Sequence, residues 1–279
     1  DSIYYRKSVI TAFKEAGFQT AFFSNQRYNH SFIDFFGMEA DTYDFIKEDS
    51  QDSQYNPSDD ELLMLVEKEL EKGNRKQFIV LHTYGSHFNY RERYPETAAF
   101  FLPDFPVDAE VKYKDNLMNA YDNSIRYTDN FLARIIHLLK QQQVDASMLY
   151  TSDHGEDIFD DGRHLFLHAS PVPSYYQLHV PLLLWTSDSY REEYPGIEKA
   201  ASMNRQKNIS SSISFFQTMM ELAGIETPYR NDSLSVTSPL YTEKSRVYLN
   251  DHNEPRPLDD IGMRKEDFEM LKKRGIDAQ

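Results

Sequence analysis

Ser147 to Tyr150 forms a short apolar strand that runs directly into Thr151-Ser152-Asp153-His154-Gly155-Glu156: a hydroxyl pair, a carboxylate, an imidazole, a glycine and a second carboxylate. In open α/β sheets, ligands collect outside the carboxyl ends of strands, where loops point side chains into a crevice. Asp153 and His154 stand at such an end. Neighbours on a strand face opposite ways, so both can serve one site only if the backbone is already turning, which Gly155 permits. A carboxylate oxygen beside an imidazole nitrogen is a donor pair that suits zinc, with manganese the alternative. Taken alone, the triplet reads equally well as a helix cap built on Ser152 or Asp153.

The rest of the chain supplies context. Gln77 to His82 is a second apolar strand, and it ends in Thr83-Tyr84-Gly85-Ser86-His87, a polar loop with a glycine. Arg163 to Pro171 carries His164 and His168, and Val180 to Trp185 is a third apolar run. Helical spacing predicts helices over Ser8–Ala16, from Ser58 with Glu61 completing a capping box, over Ala109–Gln143, over Ile209–Ala223 and near Lys265–Arg274. On the long helix the predicted buried stripe is Leu117, Tyr121, Ile125, Thr128, Leu132, Ile135 and Leu139. Gln19 to Phe23 reads as a strand, and Arg27 to Pro57 as an irregular connection with one short helix around Phe32 to Phe36. The aromatic loop Phe88 to Val107 reads either as a lid or lipid-facing rim, or as a loop fastened by its own rings. Asp157 to Gly162 reads as turn chemistry. His82, His164, His179, His30 and His252 read as structural histidines, and His137 as a partner of its helix's C-terminal dipole.

A net charge of -15, from 45 acidic and 30 basic residues, argues against a nucleic-acid partner, whose phosphates demand clustered lysine and arginine. The same balance argues against adsorption on an anionic bilayer. There are no cysteines, so neither a disulfide framework nor thiol chemistry is available. No run approaches the roughly 20 apolar residues that a spanning helix needs. The chain opens on Asp1 without an initiator methionine and is read as a piece of a longer protein.

The motifs Leu81-His82-Thr83-x-Gly85-Ser86-His87, Tyr150-x-Ser152-Asp153-His154-Gly155-Glu156, Leu167-His168, Gln177-x-x-Val180-Pro181 and Trp185-x-Ser187 occur in this order. In that order they resemble the phosphoethanolamine transferase branch of the alkaline phosphatase and sulfatase superfamily. The resemblance implies an α/β fold with a largely parallel central sheet between helical layers. It implies a catalytic domain over residues 1–250 and a peripheral C-terminal segment over 251–279. By the same resemblance Asp153 and His154 are metal ligands, and His87 and His168 hold the phosphoryl group or a second metal, or move a proton. It further implies zinc, a phospho-enzyme intermediate, phosphatidylethanolamine as donor, and lipid A or a glycan as acceptor. The expected location is the periplasmic face of the bacterial inner membrane, with attachment through a region before Asp1. The family's glutamate ligand and threonine nucleophile also precede Asp1, so the chain as given is expected to be inactive. Ser86, Thr151 and Ser152, the hydroxyls beside the motifs, are assigned to turns and caps. Two departures from the family pattern bear on different points: Ala169, where relatives often have glycine, on the identification of His168, and the absence of the relatives' cysteine pairs on the substrate. A sulfatase or phosphoglycerol transferase is the alternative within the superfamily. A non-catalytic glycolipid-binding module is the alternative outside it.

Overall fold

The structure is a computed structural model and describes residues 7–28, 32–47, 56–73, 76–168, 172–249 and 254–276. His30, His252 and Ala169 lie outside the described residues. The chain divides into two units, Asp1–Gln142 and Gln143–Gln279.

In the first unit, helix α1 (Val9–Glu15) starts where the Ser8 hydroxyl accepts the amide of Ile10. It buries Ile10 and Phe13 and stops before Gly17, whose φ of 83° is open to glycine at little cost. Strand β1 (Gln19–Ser24) follows, then α2 (Phe32–Gly37), β2 (Thr42–Phe45), α3 (Glu61–Leu70) and β3 (Gln77–His82). The strands pair in the order β2-β1-β3, all parallel, so Ser24 aligns with both Phe45 and His82 at one end of the sheet. The Phe13 ring stacks on Phe78 at a centroid distance of 3.7 Å, tying helix to sheet. Strand β2 falls inside the stretch expected to be irregular, because four residues are too few to show a period. The expected capping box at Ser58 is absent. Ser58 instead accepts the amide of Asp60 in a preceding turn, and the helix begins at Glu61 with no side-chain cap.

The long helix α4 spans Lys114–Gln141 and buries Leu117, Leu132 and Ile135 as expected. Ile125 is 45% exposed, while Asn123, Ser124 and Phe131 are buried instead. Asn123 explains the shift. Its amide oxygen accepts the backbone amides of Phe100 and Phe101, and its nitrogen donates to the Phe101 carbonyl, the Tyr94 hydroxyl and Asp104. That face of α4 is therefore a polar brace for the aromatic loop. Phe100, Leu102 and Phe105 of this loop stay largely exposed.

In the second unit, β4 (Ser147–Thr151) is followed by two-residue strands β5 (Asp157–Ile158) and β6 (Phe166–Leu167), a short helix α5 (Tyr175–Leu178) and β7 (Leu182–Thr186). Strand β4 pairs antiparallel with β7, and β5 with β6. Helices α6 (Asp188–Glu193), α7 (Pro195–Asn204) and α8 (Ser211–Leu222) come next, then a β8 (Val247–Leu249) and β9 (Pro255–Pro257) hairpin and helix α9 (Lys265–Lys273). Leu258 and Leu271 are buried against Tyr175, so the C-terminal segment packs on α5. Among the described residues, no helix is long and apolar enough to cross a membrane.

Candidate metal centre

The turn after β4 is built by short polar contacts. The Ser152 hydroxyl donates to the His154 carbonyl at 2.6 Å, and Asp153 Oδ1 accepts the His154 amide at 3.0 Å. Gly155 then donates its amide to the Gln177 carbonyl at 2.7 Å. A Cβ on Gly155 would stand 2.1 Å from the Tyr176 carbonyl oxygen, so glycine is required by close approach of α5. The sequence reading assigned it to the freedom of the turn; Gly155 is not among the positive-φ residues.

His154 and His168 stack with ring centroids 3.7 Å apart. His154 Nδ1 lies 2.9 Å from the Gly155 carbonyl, and His168 Nδ1 lies 2.8 Å from Glu156 Oε1. A carbonyl oxygen only accepts, so His154 must carry its proton on Nδ1; a carboxylate imposes the same choice on His168. In the neutral rings both Nε2 atoms then present lone pairs, the arrangement of metal-binding histidines whose other nitrogen is tied down. Donor atoms of His154, Glu156 and His168 all lie within 4.8 Å of one another. Asp153 Oδ2 is 3.7 Å from His154 Nε2, close to the roughly 3.4 Å between two ligands of a tetrahedral ion. Its side chain is 85% exposed, whereas that of Glu156 is 4% exposed.

Glu156 is the residue that sequence reasoning passed over. It was read as the tail of a motif, although a carboxylate two positions after a candidate ligand histidine was a usable signal. Asp157, next in line, turns away from the histidines. Its two oxygens accept from the Ser174 hydroxyl and the Gln177 amide nitrogen, so it fastens the turn to α5. Burial raises its pKa above the ordinary carboxylate value against the lowering effect of those bonds.

The structure therefore brings His154, His168 and Glu156 together, and sets Asp153 Oδ2 3.7 Å from His154 Nε2. His87 belongs to the first unit, where it is exposed, with Nδ1 against the Phe88 carbonyl and its ring edge-on to Tyr84 at 5.2 Å. His82, at the end of β3 in the same unit, has Nδ1 2.9 Å from the Ser24 hydroxyl.

The mixed α/β scaffold and its match to the sulfatase family model together place this domain in the alkaline phosphatase and sulfatase class. The chain belongs to the sulfatase family, which it matches over residues 2–225. It is 36% identical over 157 residues to phosphoethanolamine transferase EptA of Escherichia coli K12, covering 54% of this chain and 28% of that protein. It is 32% identical over 178 residues to the Kdo(2)-lipid A phosphoethanolamine 7''-transferase of the same organism, covering 61% of this chain and 31% of that protein. The chain thus spans about a third of the curated relatives it matches. Among solved structures, the C-terminal periplasmic domain of EptC from Escherichia coli superposes with a TM-score of 0.76 at 25% identity, over 87% of this chain and 68% of that one. A zinc complex of that domain aligns with a TM-score of 0.75 at 23% identity, over 92% of this chain and 73% of that one.

Proposed function

We propose that this chain is the metal-dependent catalytic domain of a phosphoethanolamine transferase, moving phosphoethanolamine from phosphatidylethanolamine to lipid A or a related glycan at the periplasmic face of the inner membrane. The observation that carries the reading is the tautomer lock. His154 and His168 stack with Nδ1 of each committed to an acceptor, and His154 Nε2 lies 3.7 Å from Asp153 Oδ2. The curated relatives, named as phosphoethanolamine transferases, weigh against a sulfatase or phosphoglycerol transferase.

The donor set fits zinc, with manganese second, since two imidazoles and a carboxylate suit a borderline-soft ion. When bound, such an ion would neutralise charge on the phosphoryl oxygens and lower the pKa of the attacking oxygen. Asp153 Oδ2 and His154 Nε2 are the ligands in this reading. Buried Glu156 holds the His168 ring by its Nδ1 proton, leaving His168 Nε2 to a phosphoryl oxygen or to the ion. In the reaction, the phosphorus–oxygen bond to diacylglycerol breaks as the bond to the nucleophile forms. The proton leaving the nucleophile ends on the departing oxygen, and His87 keeps the proton-transfer role on sequence grounds.

The reading assigns no nucleophile within these residues. Thr151 donates to the Ser152 and Pro181 carbonyls and Ser152 to the His154 carbonyl, so both hydroxyls are spent on the turn. The test is intact-mass spectrometry after incubation with phosphatidylethanolamine and zinc. The expected result is no adduct on this chain and a phosphoethanolamine adduct on a longer protein that contains this domain. An adduct on any serine or threonine here would overturn the placement of the nucleophile, and no adduct in either protein would overturn the transferase reading.

A further inference from the structure

Asp267, on α9, is fully buried, and each of its carboxylate oxygens accepts two hydrogen bonds. Oδ1 takes Arg163 Nη2 at 2.8 Å and the amide of Tyr175 at 2.9 Å; Oδ2 takes Arg163 Nη1 at 2.7 Å and the amide of Arg264 at 3.0 Å. A buried carboxylate is tolerated only when its charge is paired and its lone pairs are filled, and here both conditions hold. Where the four donors come from matters more than their number. Arg163 sits in the β5–β6 hairpin that ends at His168. Tyr175 opens α5, whose Gln177 carbonyl holds the Gly155 amide and whose Gln177 side chain holds Asp157.

The hairpin has its own reason to need a clamp. Phe159, His164 and Leu167 have φ of 54°, 54° and 65°, a left-handed backbone that side chains with a Cβ adopt at a cost. Such conformations persist only where the surroundings over-determine them. Leu167 is one such position, and His168 follows it directly. Arg163, between Phe159 and Leu167, is fixed from both sides: its guanidinium forks onto Asp267 and, through Nε, onto Asp161 at 2.9 Å.

We propose that α9 is a positioning element of the candidate metal centre, with Asp267 joining the hairpin that carries His168 to the helix that holds the Asp153–Asp157 turn. Asp267 acts as one anchor for two segments that approach the His154–Glu156–His168 group from different parts of the sequence. The metal-affinity arm of the test rests on the proposed function, and the exchange arm does not. Losing the anchor releases both segments together, so the cluster loosens before the unit unfolds.

The test compares this chain with Asp267→Asn, Arg163→Lys and, as a control for lost stability alone, Met220→Ala in the buried face of α8. All are measured at a temperature where circular dichroism shows them folded. The readouts are hydrogen exchange of the amides of 157–168 and Tyr175, and the affinity for zinc by competition with a chromophoric chelator. In Asp267→Asn the hairpin amides are expected to exchange about tenfold faster and zinc to bind about tenfold more weakly, while Met220→Ala changes neither beyond its global effect. Arg163→Lys, which keeps the charge but not the fork, is expected to show a smaller change of the same pattern and to serve alone if Asp267→Asn does not fold. Exchange at the hairpin unchanged in the folded variants, or raised equally by Met220→Ala, overturns the proposal. If the unaltered chain binds no zinc while the exchange pattern appears, the metal reading falls and the positioning role stands.

Discussion

Gly37 in the first unit and Gly155 in the second are both buried, and what stands against each differs. A Cβ on Gly37 would meet the Phe22 ring at 2.6 Å, whereas on Gly155 it would meet a backbone carbonyl at 2.1 Å. The contrast runs through both regions. Around β1 the chain packs apolar side chains on a parallel sheet, with Phe22, Phe23, Leu62 and Val66 buried. Around the candidate metal centre the strands are two residues long, and position is set by buried polar groups such as Asp157, Ser174, Gln177 and Asp267. Apolar packing tolerates change in proportion to volume. A polar framework fails bond by bond, because an unmatched buried donor or acceptor carries its full desolvation cost.

The largest effect expected is Phe13→Ala, which removes one ring of the Phe13–Phe78 stack and should destabilise by about 4 kcal/mol in a urea titration. Gly155→Ala comes next at about 3 kcal/mol, since the Tyr176 carbonyl cannot withdraw without breaking α5 away from the turn. Gly37→Ala should cost about 1 kcal/mol, because a ring can turn aside where a peptide cannot. Equal losses at the two glycines would erase the distinction between the regions.

Asp157→Asn should cost about 2 kcal/mol, because it removes the charge from two buried hydrogen bonds and, with its nitrogen opposite the Gln177 amide, sets donor against donor. Asp267 adds a pH dependence. Burial opposes its ionisation, but the bonds from Arg163 and from the amides of Tyr175 and Arg264 outweigh that and hold its pKa below the ordinary aspartate value. A carboxyl with a depressed folded pKa contributes stability that is present above its unfolded value and lost as pH falls through the folded one. The cost of Asp267→Asn should therefore be largest near neutrality and shrink below about pH 3.8. A cost that is flat across an acid series of urea melts would contradict this.

The same contrast decides what the sequence made legible. Helices α1, α4 and α8 are legible because an apolar face leaves a helical repeat, and strands β3, β4 and β7 because each is a short apolar run. The α/β class came with the motif resemblance. Asp153, His154, His87 and His168 are candidates from motif resemblance, and the structure groups two of them, His154 and His168, with Glu156. Glu156 was missed because its role depends on where the His168 ring falls, twelve residues on. The Arg163–Asp267 pair, 104 positions apart, was invisible because no local pattern records which carboxylate will meet which guanidinium. Ile125 was misplaced because the period of α4 could not show that polar Asn123 would occupy the buried side. Polar frameworks are legible only once the fold has paired them.

The smallest expected effect lies on the same helix as one of the larger ones. Glu269, two residues from Asp267 on α9, forms an ion pair with Lys265 at 3.2 Å, with side chains 64% and 86% exposed. Both members keep their water, and holding two long side chains in one geometry costs entropy that nearly offsets the attraction. Glu269→Gln should change stability by less than about 0.5 kcal/mol, and added salt should remove even that. Asp267→Asn should keep most of its cost in salt, because its partners are shielded from counterions by burial. Melting both variants at low and high ionic strength separates the two roles of one helix: a salt-insensitive loss at Glu269, or a salt-sensitive one at Asp267, would mean that burial does not set the strength of the framework around the site.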